Sequence, residues 1–176
     1  MNVSYEIVAE HTSIEWYTPP EIIKSLGKFD LDPCTSDIAW KFNRSAKKYY
    51  TIQEDGLSKE WFGRVWLNPP YSQPSVGLFM EKMAIHNNGI ALLYNRTDNK
   101  MFQEIILPVS DSIMFLSGRI HFFRPDGTKG SQPGAGSILI AFGQHNTIAL
   151  ENSGLKGHVF KSTKRNIALQ DNLIFE

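Results

Sequence analysis

The run Arg64-Val65-Trp66-Leu67-Asn68-Pro69-Pro70-Tyr71 joins two opposed tendencies. Val65, Trp66 and Leu67 have the β-branched, aromatic and aliphatic character of a buried strand. The two prolines end it, because neither can donate to a hydrogen-bonded ladder. Towards the C-terminus, Val76, Leu78, Phe79, Met83 and Ile85 recur near helical spacing between Pro74 and His86, and Asn87-Asn88-Gly89 closes that helix. Ile90-Ala91-Leu92-Leu93-Tyr94 is again apolar and of strand length, so strand, helix and strand together read as a parallel crossover. Towards the N-terminus, Phe29-Asp30-Leu31-Asp32 alternates apolar and acidic residues up to Pro33 and reads as a strand ending in acids. Ahead of it Thr18-Pro19-Pro20 leads into a helix from Glu21 that Gly27 stops. Thr35 to Lys48 is polar and mildly helical.

Beyond this centre, Asp98 to Leu107 suits a helix closed by Pro108, and Ser112–Leu116, Ile120–Phe123 and Ser137–Phe142 suit strands. A Gly- and Pro-marked stretch from Arg124 to Gly136 is a long loop of the kind tied to binding. The expected fold class is α/β, a mostly parallel sheet with an antiparallel edge hairpin.

Length and composition exclude several classes. The 176 residues are 41% hydrophobic and 12% aromatic, enough for a core of two or three layers. Lys+Arg 18 against Asp+Glu 18 leaves no net charge, which excludes a histone-like binder held by bulk positive charge but not a local basic face. A single cysteine, Cys34, rules out an intramolecular disulfide and a Cys-based zinc cluster, and points to a reducing, cytoplasmic setting. No stretch has the form of a secretory leader or a membrane span, and His11, His86, His121, His145 and His158 have no metal-ligand spacing, so neither membrane nor metal is expected.

The motif Asn68-Pro69-Pro70-Tyr71 follows a strand, and in open parallel sheets ligands bind beyond the carboxyl ends of strands. Its residue types suit methylation of an exocyclic amine. Such a nitrogen is a poor nucleophile, because its lone pair is delocalised into the ring. The Asn68 side-chain oxygen and the Pro69 carbonyl can accept its two N–H bonds and turn the lone pair towards a methyl donor, while the paired prolines stiffen the backbone. Tyr71 offers a face on which a base taken out of a duplex can stack.

Taken with Glu15-Trp16-Tyr17-Thr18-Pro19, Phe29-Asp30-Leu31-Asp32-Pro33-Cys34, Tyr49-Tyr50-Thr51, Asp55-Gly56-Leu57, Trp61, Gly118-Arg119-Ile120-His121-Phe122 and Ser137–Phe142, this motif resembles the phage-type DNA N6-adenine methyltransferase family over roughly residues 15 to 143. The resemblance implies a Rossmann-like, S-adenosylmethionine-dependent fold and duplex DNA as partner, in a bacterial host cell. Residues 1–14, without apolar period, read as an N-terminal arm, ahead of a catalytic domain over 15–150 and a basic C-terminal extension over 151–176 packed on or flanking the same domain. Asn68, Pro69, Pro70 and Tyr71 are then the catalytic residues. Cofactor contacts fall on Asn68, on Trp16, Tyr17, Thr18 and Pro19 as a segment closing over the methionine carboxylate, on Asp32 (with Pro33 and Cys34) at the ammonium, and on Asp55 at the adenine. Each has a plainer reading beside it: Asp32 as a helix N-cap, Asp55-Gly56 as a turn, Trp16 as core.

Two departures stand out. The turn Asp32-Pro33-Cys34-Thr35-Ser36 has no glycine, and only about thirty-five residues separate Asp32 from Asn68, so either the sheet is abbreviated or its strands there are very short. Candidate DNA contacts are Lys41, Arg44, Lys47 and Lys48, then Arg96, Arg119, Arg124 and Lys129, and a C-terminal group of Lys156, His158, Lys161, Lys164 and Arg165. Thr97 or Asp98 is expected to cap the helix after Tyr94. Cytosine N4, an RNA adenine or a protein glutamine stay open as other targets, as does a non-catalytic DNA-binding module.

Overall fold

The computed structural model describes residues 16–162 except 73 and 132. The expected arm over residues 1–14, and Lys164 and Arg165, lie outside the described residues. The elements in order are α1 (Pro20–Ser25), β1 (Leu31–Asp32), α2 (Asp37–Asn43), β2 (Lys48–Tyr49), β3 (Val65–Leu67), α3 (Ser75–His86), β4 (Gly89–Tyr94), a π-helical turn (Met101–Ile106), β5 (Ser112–Leu116), β6 (Ser137–Phe142), α4 (Gln144–Glu151) and β7 (Gly157–Lys161).

The strands form one sheet in the order β2-β1-β3-β4-β6-β5-β7. The pairs β2–β1, β1–β3 and β3–β4 are parallel, while β6 runs against both β4 and β5, and β7 against β5. Strands β1 to β5 therefore point one way and only β6 and β7 the other. The expected antiparallel hairpin exists between β5 and β6, but it is not at the edge. β6 lies inside, between β4 and β5, and the edge strand is β7. The expected strand Ile120–Phe123 is also absent. Ile120 and Phe122 are buried as loop residues, and Phe123 makes only single bridges to Tyr17 and Lys129.

Alternation along the strands divides the core in two. Leu31, Val65, Leu67, Ala91 and Leu93 face Val76, Phe79, Met80 and Met83 of α3 and Phe102 and Ile106 of the π-helical turn. Trp66, Ile90, Leu92, Leu139 and Ala141 face Ile22, Ile23 and Leu26 around α1, and Leu150 of α4. Covered on both faces, β4 reads as an unbroken apolar run rather than an alternating one. Its first residue is glycine for a reason of space: a Cβ on Gly89 would stand 2.2 Å from the Val65 carbonyl. Between β1 and β3 there is room only for α2 and the two-residue β2, and β1 meets β3 at a single position, Leu31 opposite Val65.

Candidate active site

β1 has β2 on one side and β3 on the other, so the order of the sheet reverses between β1 and β3. That switch point is where an open α/β sheet leaves a crevice beyond its strand ends. Asp32 closes β1, Asn68 follows β3, and Tyr94 closes β4.

Three side chains hold Asn68. Its Nδ2 donates to the Thr18 hydroxyl at 3.4 Å, the Tyr71 hydroxyl donates to its Oδ1 at 3.3 Å, and the Cys34 thiol donates to its backbone carbonyl at 3.4 Å. Acceptor on one end and donor on the other fix which way round the amide sits. An amide oxygen has two lone pairs, so Oδ1 keeps one for a substrate N–H. The Tyr71 hydroxyl lies equally close, at 3.3 Å, to the Leu92 carbonyl, and the Tyr71 ring stacks on Tyr94 with centroids 4.3 Å apart. Burial, with Tyr94 adding to it, pushes the Tyr71 phenol above its ordinary range, so it remains a donor. Pro69 is buried and Pro70 exposed.

Asp32 is 4% exposed. Its carboxylate accepts from the Ser45 hydroxyl and from the Cys34 backbone N–H at 3.3 Å. Burial dominates these stabilising bonds and pushes its pKa up from 3.8 to about 6. The expected alternative, Asp32 as cap of the next helix, does not occur: the Ser36 hydroxyl accepts from Ala39 N–H and caps α2. Burial, with the Asp32 carboxylate second, pushes the Cys34 thiol well above its usual range, so it stays protonated as a hydrogen-bond donor.

The glycine missing after Asp32 is supplied by another loop. A Cβ on Gly56 would lie 1.8 Å from the Pro33 carbonyl, so only glycine lets the 55–57 loop close onto the turn after β1. Asp55 has a positive φ of 53° and turns the chain there, accepting from Leu57 N–H at 3.2 Å. Lys82 of α3 holds the same loop, its ammonium donating to the carbonyls of Gly56, Leu57 and Lys59, while Trp61 Nε1 donates to Gly56 O at 2.8 Å. Sequence reading missed Lys82, Ser45 and Tyr94. Only Tyr94, a polar tip closing an apolar strand, carried a local signal.

The N-terminal segment divides. Thr18 is buried beside Asn68; Tyr17 is also buried, bridging to Phe123 and packing its ring against Phe42 at 5.9 Å. Trp16 is 40% exposed and lies against Gly130 and near Arg124 in the long loop. The basic residues divide as well. Lys41, Arg44, Lys47 and Lys48 follow α2 down towards the start of β1 and β2. There Lys47 pairs with Asp30 at 2.8 Å and Arg44 lies over the Trp40 ring at 4.2 Å. Arg96, Arg119, Arg124 and Lys129 lie beyond the carboxyl ends of β4 and β5, on the edge that carries Asn68. After Tyr94 the capping side chain is Asn99, accepting from Phe102 N–H at 2.9 Å, instead of Thr97 or Asp98.

Among the described residues no helix is long and apolar enough to cross a membrane. No solved structure matches this chain. A protein of Escherichia phage T1 bearing the name DNA N-6-adenine-methyltransferase is 41% identical over 87 residues, 44% of this chain and 34% of its own length. The chain thus spans about a third of that curated relative. The family model described as DNA N-6-adenine-methyltransferase (Dam) matches residues 8–164. With nearly all of its length covered by that match, the chain belongs to the DNA N-6-adenine-methyltransferase (Dam) family.

Proposed function

We propose that the chain methylates N6 of an adenine turned out of duplex DNA, with S-adenosylmethionine as donor, on a Rossmann-like methyltransferase fold abbreviated on its β2 side. The observation that carries this reading is the Asn68 amide, oriented by Thr18 at one end and Tyr71 at the other, beside the switch point of the sheet.

The crevice residues fit such a cofactor. Asp32 offers a buried carboxyl that a cationic ammonium would ionise, and Gly56 forms a tight wall against Pro33. When bound, S-adenosylmethionine supplies a methyl group on a cationic sulfur whose departure leaves a neutral thioether. The positive charge passes to the amine nitrogen, whose surplus proton is released to solvent, so no strong general base is required. Asn68 Oδ1 accepts one N–H of the adenine amino group and the Pro69 carbonyl the other, drawing the nitrogen towards a tetrahedral form. Tyr94 covers one face of the Tyr71 ring, so the base stacks on the opposite face, as a flipped base requires. Trp16, Thr18 and Pro19 close over the methionine end.

Labelled methyl transfer into unmethylated duplex DNA, followed by nucleoside analysis, tests the reading. Label in N6-methyladenine is expected, and Asn68→Ala should abolish it while leaving cofactor affinity and melting temperature close to those of the parent. Label in N4-methylcytosine, RNA or a glutamine side chain, or none in any acceptor, refutes it.

A further inference from the structure

A cavity of about 260 Å³ opens between the start of α1 and the loop that follows β5, with Pro19, Glu21, Arg119, His121, Lys129 and Lys156 among its lining residues. Chain directions put it on the catalytic edge. β5 runs parallel to β4, so Ser117–Arg119 leave the sheet where Tyr94 does, and Lys156 precedes Gly157, which pairs with Leu116 at that end of β5. Pro19 is next to Thr18, whose hydroxyl meets the Asn68 amide. The cavity therefore begins one residue from the machinery of methyl transfer.

Its cations are uncommitted. None of Arg119, Lys129 and Lys156 has an acid within ion-pair distance among the described residues. Arg119 donates one bond to the Pro133 carbonyl at 3.1 Å, which steers it against the long loop and leaves further guanidinium donors. At the opposite edge Lys47 is neutralised by Asp30 and Arg44 lies over Trp40, while Lys41 and Lys48, also without an acid at ion-pair distance among the described residues, do not line this cavity. Three positive side chains lining one concave site beside a single carboxylate, Glu21, favour an anion, and a DNA strand presents a singly charged phosphodiester at each step. We propose that this cavity seats a backbone phosphate of the DNA strand that carries the target base, and so fixes the register of that base over Asn68. The inference rests on the proposed methylation of DNA and narrows the basic candidates to those on one edge.

The test is binding of a short unmethylated duplex by fluorescence anisotropy over a series of KCl concentrations. It compares the full chain with its Arg119→Gln/Lys129→Gln/Lys156→Gln variant and with a Lys24→Gln/Lys28→Gln variant of equally exposed cations elsewhere. Each phosphate contact contributes about 0.9 to the slope of log K against log salt. The cavity variant is expected to lose about one from that slope and to weaken on all duplexes alike, with cofactor affinity by calorimetry unchanged. Restoring charge in Arg119→Lys/Lys129→Arg/Lys156→Arg should restore the slope. The Lys24/Lys28 variant should keep it. An unchanged slope in the cavity variant overturns the inference, as does a loss found only on changing Lys41, Arg44 and Lys48. If the parent binds DNA with the expected slope change yet transfers no methyl group, the activity reading falls and the phosphate site stands.

Discussion

Replacing Asp32 by Asn should stabilise the fold and disable it. The Asp32 carboxyl titrates at about 6 in the folded protein against 3.8 for an unhindered aspartate. Between those values the native state holds a proton that the unfolded chain has released, so stability falls as pH rises from 3.8 to about 6 and is level above. The accumulated cost of ionising this buried group is about 3 kcal/mol at neutral pH. Asn keeps an oxygen for the Cys34 N–H and puts an amide N–H where the other oxygen accepted from Ser45, whose hydroxyl then accepts instead, and it carries no charge. Some of the gain is offset because bonds to a neutral acceptor are weaker. The net expectation is about 2–3 kcal/mol at pH 7, a rise of roughly 5–10 °C in melting temperature for a chain of this size. Denaturant melts of both proteins over a pH series isolate the effect. The difference between them should vanish near pH 4 and reach its plateau by pH 7, while cofactor affinity in the variant collapses. A variant less stable than the parent at neutral pH, or a difference that does not vary with pH, refutes the reasoning. Such a gain in stability at the expense of function is what a binding carboxylate held in an unfavourable place produces.

Thr18→Val removes the acceptor for Asn68 Nδ2 and should lower kcat several-fold, the worth of one hydrogen bond of about 1 kcal/mol. Thr18→Ser should recover most of it in steady-state assays, and equal loss in both would show packing instead of orientation. Gly56→Ala must push the 55–57 loop off the Pro33 carbonyl. Cofactor affinity measured by calorimetry should fall at least tenfold, with a smaller change in the DNA Kd. Lys82→Met frees the Leu57 and Lys59 carbonyls of the same loop, while Gly56 O keeps Trp61 Nε1. Faster amide hydrogen exchange at residues 56–60, with α3 itself still protected, is the expected signature.

Much of this architecture was legible in local pattern. Val65–Leu67 stopping at Asn68, the helix of α3 and the unbroken run of β4 are all short-range signals, and the structure has each, although Leu78 and Ile85, read as part of the apolar face of α3, are exposed and Met80 is buried in their place. The chain between Asp32 and Asn68 is too short for ordinary crossovers, and β1 and β2 shrink accordingly to two residues each. The position of β6 was not legible, because which edge a hairpin joins depends on the twist and cover of a whole sheet and not on residues 112–142 alone. Ile120–Phe123 has strand composition, but Ile120 and Phe122 are buried in the core cluster with Ile22, Ile23 and Leu26, and only Phe123 makes isolated bridges. At the site, the Asn-Pro-Pro-Tyr motif announced itself, whereas Ser45, Gly56 and Lys82 act across 13, 23 and 26 residues of separation. No local spacing records such contacts.

The hydroxyl of Tyr71 also reaches the carbonyl of Leu92, and the strand that carries Leu92 is pinned along its whole length, Gly89 to Tyr94, by residues 137–142. During synthesis the motif therefore leaves the ribosome well before the strand that braces it gains its second neighbour, β6, beside β3. The nascent chain carries the whole Asn-Pro-Pro-Tyr motif while still lacking that brace. The brace is complete only when Phe142 has emerged and β6 pairs between β4 and β5. A polypeptide truncated anywhere between Tyr71 and Ser137 would hold every residue of the motif without the strand that pins Leu92 against it.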